Sequence, residues 1–138
     1  MKYFIVTNNP IVKKKFENVF FIEGTFEDVL IKIRDYVHQG VELVSHPLGA
    51  SIRILFSPYR SVILGEKNNK INAYHIEIIE SSIISYRNIN AGRKIDYKNA
   101  HDYALIDVEL LKVSLKSFKE INNNHINLFG GDSFETGA

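Results

Sequence analysis

His46 lies in the stretch LVSHPLGAS, Leu43 to Ser51, where a run suited to a buried strand gives way to a turn. An imidazole at such a point can donate, accept or move a proton near neutral pH. Ser45 and Ser51 flank it with hydroxyls, and the segment that follows adds Arg53, Ser57, Tyr59 and Arg60. A guanidinium can grip a carboxylate or phosphate with two parallel hydrogen bonds. A second polar turn, Thr7-Asn8-Asn9-Pro10, offers more hydroxyl and amide groups. The chemistry such a set could carry is the binding of a small anion, with His46 as the candidate acid–base of any reaction there.

Each of these residues has a plainer role open to it. Asn9-Pro10 is the pair expected at the start of a helix, asparagine as cap and proline in the first position. His46 before Pro47 can simply bond a neighbouring carbonyl, and Arg53 and Arg60 are single arginines in a loop. His38 falls near the end of a helix, where a cation suits the dipole. Asp35 and His38, three apart, form an ordinary surface pair. Lys13, Lys14 and Lys15 read as a solvated face.

Other chemistries are excluded. The chain of 138 residues has no cysteine, so thiolate metal sites, disulfides and thiol redox relays are ruled out. The five histidines are scattered without helical metal spacing, and no cofactor or metal site is expected. Neither glycine-rich phosphate loop occurs, nor H-E-x-x-H or G-x-S-x-G. A net charge of +1 gives no field for nucleic acid. No leader or membrane-length apolar run is read, so a soluble cytoplasmic protein is expected.

The elements that must position these residues follow from pattern. Residues 2–7, KYFIVT, read as a strand buried on both faces. A short helix follows from Asn9, with Ile11, Val12 and Phe16 inward. Residues 19–23 read as a second strand. Thr25 caps a helix over about 25–39, with Asp28 placed to complete a capping box and Gly40 to end it. Residues 41–45 and 61–65 are the third and fourth strands, and 51–56 an extra strand or hairpin arm. A helix over 72–90 carries Ile76, Ile79, Ile83 and Tyr86 on one face. A last helix within 102–121 buries Leu110, Leu111, Leu115 and Phe118. Residues 1–121 make one domain, and 122–138 a loosely ordered tail.

Strand–helix alternation predicts an α/β fold: a single small three-layer domain, with a mainly parallel sheet of four to five strands and helices on both faces. The strand order expected is 2-1-3-4. Ligands of such sheets collect at the carboxyl ends of the strands, where the order reverses. That places Thr7, Asn8 and Asn9 opposite Ser45 and His46, with Ser51, Ser57, Tyr59 and Arg60 on the loop above. These nine are the candidate ligand-binding residues, and His46 is the candidate catalytic one.

Four pieces, TNNPIV (7–12), RDYVHQG (34–40), SHPLGAS (45–51) and SPYRSVIL (57–64), together resemble the GrdX family, small proteins encoded beside glycine reductase. The resemblance covers about residues 3–90, and LID at 105–107 extends it. It implies an accessory role connected to glycine, sarcosine or betaine reductase, with no assigned reaction. The matched positions Asn8, Asn9, Pro10, Arg34, Asp35, His38, Gly40, His46, Pro47, Ser51, Pro58 and Tyr59 have no assigned roles. That reductase chemistry runs on selenol and thiol groups, so a cysteine-free chain takes part only indirectly. Three readings follow. The first is an accessory protein binding a small anionic metabolite. The second is a structural partner of the reductase complex. The third is a hydrolase or transferase using His46. No nucleic-acid or membrane partner is expected, and oligomerisation is left open.

Overall fold

The computed structural model describes residues 2–49 and 55–126. The chain runs β1 (Phe4–Thr7), α1 (Pro10–Lys15), β2 (Val19–Phe21), α2 (Phe26–His38), β3 (Val41–Leu43), β4 (Ser61–Lys67), α3 (Ala73–Ile89) and α4 (Ala100–Ile126).

The local signals act as their chemistry dictates. Asn9 caps α1 by accepting the Ile11 N–H, with Pro10 in the first turn. Thr25 and Asp28 form the reciprocal capping box of α2. Gly40 follows that helix at φ +96°, a conformation that favours glycine. Its N–H bonds back to Val37 O, closing the last turn. Helix α4 continues beyond residue 121, to Ile126, and residues 127–138 lie outside the described part. The hairpin arm expected over 51–56 also falls largely outside it.

The expected mainly parallel sheet is corrected. The four strands form a mixed sheet in the order β2-β1-β4-β3. β1 and β2 are parallel, and β4 is antiparallel to both β1 and β3. The reason lies in the connection. A parallel return needs a crossover, usually a helix, to carry the chain back across the sheet. Among the described residues no α-helix separates β3 from β4. The chain therefore turns back at the edge it has reached, and β4 starts beside the ends of β1 and β3.

Strand alternation sorts the core. Val6, Val62 and Leu64 face α2 and α3, packing with Leu30, Ile33 and Ile79. Ile5 and Ile63 point the other way, onto Val12 of α1 and Val108, Leu111 and Leu115 of α4. Each such side chain, fully withdrawn from water, contributes roughly 1.5–3 kcal/mol. Phe26 of α2 stacks on Tyr86 of α3 at 4.5 Å between ring centres. The tyrosine hydroxyl there is pushed up to about 12, first by burial and then by Glu27.

His38 does not pair with Asp35. It reaches Glu80 of α3 at 2.9 Å and ties α2 to α3 on the surface. Among the described residues no helix is long and apolar enough to cross a membrane.

Candidate functional site

The insertion of β4 between β1 and β3 fills the crevice where an open ligand pocket was expected. Arg60 and Ser61, at the start of β4, occupy that position and bring both predicted turns onto one rim. Asn8 Oδ1 accepts the Arg60 backbone N–H at 2.9 Å. The Arg60 guanidinium donates from Nε to Pro47 O and from Nη2 to His46 O, both at 2.7 Å. Asn8 and His46 are thus linked through one arginine.

The amides and hydroxyls at this rim turn inward. Asn8 Nδ2 donates to Gly24 O and Pro58 O. Asn9 uses Oδ1 to cap α1, and its Nδ2 donates to Ala104 O and to Asp107 Oδ2 of α4. Ser61 donates its hydroxyl to Asp107 Oδ2 at 2.6 Å and its backbone N–H to Oδ1 at 3.1 Å. With that proton committed, the 2.6 Å contact between Thr7 Oγ1 and Ser61 Oγ has Thr7 as donor. Thr7 Oγ1 in turn accepts the Asn9 N–H. Thr7, Asn8, Asn9, Ser61 and Asp107 are all buried.

The anion at this edge is therefore the protein's own carboxylate. Asp107 receives the Asn9 amide and both donors of Ser61, while the Asn8 amide goes to the carbonyls of Gly24 and Pro58. Burial pulls the Arg60 guanidinium below its ordinary range, and the charge of Asp107 opposes that fall. A buried carboxylate supplied with several donors and a nearby guanidinium is a structural lock. Sequence reasoning passed over Asp107 and Ser61. A signal existed for Asp107. It sits at the spacing of Ala104, Val108 and Leu111, a charged residue on the inward stripe of a helix.

The remaining candidates lie nearer the surface. Ser57 is buried and closes a tight turn with Tyr59, donating to its carbonyl and accepting its N–H. Tyr59 is half-buried, and Ser45 accepts the Ile63 N–H at 2.8 Å. Ser51 and Arg53 lie outside the described residues. His46 is exposed, and its Nδ1 accepts the Leu48 N–H at 3.1 Å. Partial desolvation of the ring against its loop, then the nearby Arg60 charge, lowers its pKa and favours the neutral ring. With Nδ1 accepting, the proton of that neutral ring sits on Nε2. His46 then offers the groove a donor rather than a base. Among the described residues no hydroxyl stands within hydrogen-bond reach of it as a nucleophile.

Two surface grooves flank the end of β3. One, about 280 Å³, runs between Leu43–His46 and the first turns of α3, including Tyr74, His75 and Ile78. The other, about 290 Å³, runs between Val44–His46 and α4, including Val113, Phe118 and Ile121. Among the described residues no cluster of three metal-ligating side chains occurs.

A small α/β protein with a mixed four-stranded sheet and a polar lock at its strand ends is the class these features define. A family model described as GrdX-like protein matches residues 4–116, and the chain belongs to that family. No curated protein and no solved structure matches the chain.

Proposed function

We propose that this chain is an accessory protein of the glycine, sarcosine or betaine reductase systems that holds a partner polypeptide and transforms no substrate. The family membership supports the setting. The absence of cysteine removes the chain from any thiol relay. The polar side chains at the strand ends satisfy one another, which argues against chemistry there.

One observation carries the reading. Helix α4 turns apolar side chains to water on its outer side: Ile106 is 50% exposed, Val113 64% and Ile121 67%. Val113 and Ile121 border the groove against Val44–His46, with the half-buried Phe118 on its wall. Exposed apolar residues grouped along a groove mark a surface that another protein covers. The occupant that fits is an apolar segment of a reductase-system protein, laid along α4.

A small anion bound by Thr7, Asn8 and Asn9 finds less support, because Ser61, the carbonyls of Gly24, Pro58 and Ala104, and Asp107 already take their side-chain donors. Capture from lysate of a reductase-carrying host tests the proposal. The tagged chain is expected to retain a reductase component, and the double variant Val113→Asp, Ile121→Asp to lose it with an unchanged melting temperature. Failure of the unaltered chain to retain any reductase component refutes the reading.

A further inference from the structure

We infer that the groove between the end of β3 and the first turns of α3 is a binding site for a small carboxylate. It lies on the other side of β3 from the α4 surface, with which it shares Val44, Ser45 and His46. Two imidazoles line it, His46 from the loop and His75 from α3. Both rings are held the same way. His46 Nδ1 accepts the Leu48 N–H, and His75 Nδ1 accepts the Leu43 N–H at 3.2 Å.

A ring nitrogen that accepts carries no proton, so the proton of each ring sits on Nε2. The backbone thus fixes both tautomers and leaves two Nε2–H donors for the groove. Ser45 supplies a third. Its oxygen accepts the Ile63 N–H, and among the described residues its own proton meets no acceptor. Three donors with no carboxylate among the groove-lining residues call for a ligand rich in acceptors. Behind them the Arg60 guanidinium holds the carbonyls of His46 and Pro47 and adds positive potential on that side.

The rest of the wall sets the ligand's size and tail. Leu43 and Ile78 are apolar, and the Tyr74 ring is 68% exposed beside them. A volume of about 280 Å³ suits a molecule of a few heavy atoms. A carboxylate matches paired neutral donors, its two oxygens offering about four acceptor positions. A short aliphatic tail would lie on Leu43, Ile78 and Tyr74.

The test uses the full chain labelled with nitrogen-15 and long-range proton–nitrogen spectra of the imidazoles. Sodium propionate is titrated at constant ionic strength, beside propionamide and inorganic phosphate. Both rings are expected to show bare Nδ1 and protonated Nε2, and propionate to shift both Nε2 signals saturably. His46→Asn and His75→Asn keep an acceptor near the Nδ1 position but lose the Nε2 donor. Each is expected to weaken propionate at least tenfold while the Leu43 and Leu48 amide signals stay in place. A proton on Nδ1 of either ring, the absence of saturation, or full affinity in both variants would overturn the site. Propionamide or phosphate binding as tightly as propionate would overturn the ligand class.

Discussion

Ser61 and Asp107 meet twice: hydroxyl to Oδ2 at 2.6 Å and backbone N–H to Oδ1 at 3.1 Å. One carboxylate on α4 thereby fixes the start of β4, and through Asn9 Nδ2 it also fixes the start of α1. Removing it leaves three buried donors without their acceptor. Asp107→Ala is expected to cost about 2–4 kcal/mol, since each orphaned buried donor carries its own desolvation penalty. Asp107→Asn should fall between, because it keeps one acceptor and turns an amide toward the Asn9 amide. Urea denaturation followed by circular dichroism measures both. A loss below about 0.5 kcal/mol for the alanine variant, the ordinary range for surface changes, would contradict the lock.

Arg60 holds the loop at the other end of the same rim. Its two bonds to the carbonyls of Pro47 and His46 span adjacent peptides, which suits a planar fork. Arg60→Lys keeps a charge but loses that geometry, so it should cost about 1.5–3 kcal/mol, the range of hydrogen bonds from charged groups. The loss should be local. Hydrogen exchange is expected to quicken at Leu48 and Gly49, whose amides bond His46 Nδ1 and His46 O. Amides in the middle of α2 should keep their relative protection.

What could be read in advance, and what could not, divides by distance along the chain. The caps at Asn9-Pro10 and at Thr25 with Asp28 depend on residues within three positions, so residue type alone indicates them. The stripe Ile79, Ile83 and Tyr86 is legible for the same reason. The direction of β4 is not, because Ser61–Lys67 has the same alternation whichever way it runs. Only the lack of a helix among the described residues between Leu43 and Ser61 hints at it. Thr7, Asn8 and Asn9 share a rim with His46 through Arg60, yet their side chains face inward. Asp107, the acceptor of the Asn9 amide, is 98 residues further along the chain. His75 as acceptor for the edge of β3 is likewise a tertiary match between Leu43 and the first turn of α3.

The pH response of folding should carry the mark of His46. Its folded pKa lies below the ordinary value of about 6.5, through partial desolvation first and Arg60 second. The unfolded chain then binds the proton more readily than the folded one, so stability falls as pH drops. The contribution is fully present above about 6.5 and is lost as the pH passes down through the folded value. Protonating Nδ1 would also set an N–H against the Leu48 N–H. Denaturation midpoints between pH 7.5 and 5 should decline for the unaltered chain. The slope should be shallower in His46→Asn, which has no group titrating there. Equal slopes would show that other groups govern acid stability.

Two glycines with positive φ separate backbone strain from steric contact. Gly40 has φ +96°, and a methyl group there would lie 2.5 Å from Asn68 O. The same glycine accepts the Asn68 N–H through its own carbonyl, so the two segments cannot easily part. Gly92 has φ +72° with nothing within 4 Å of such a methyl group. Gly92→Ala should therefore cost only the conformational penalty, about 1 kcal/mol. Gly40→Ala adds the clash and should cost about 2–4 kcal/mol, with altered amide signals at Asn68 and Val41. Thermal and chemical denaturation of the two variants side by side gives the difference directly. Equal losses would mean that the turn joining α2 to β3 shifts freely, and that the contact with Asn68 does not fix where β3 begins.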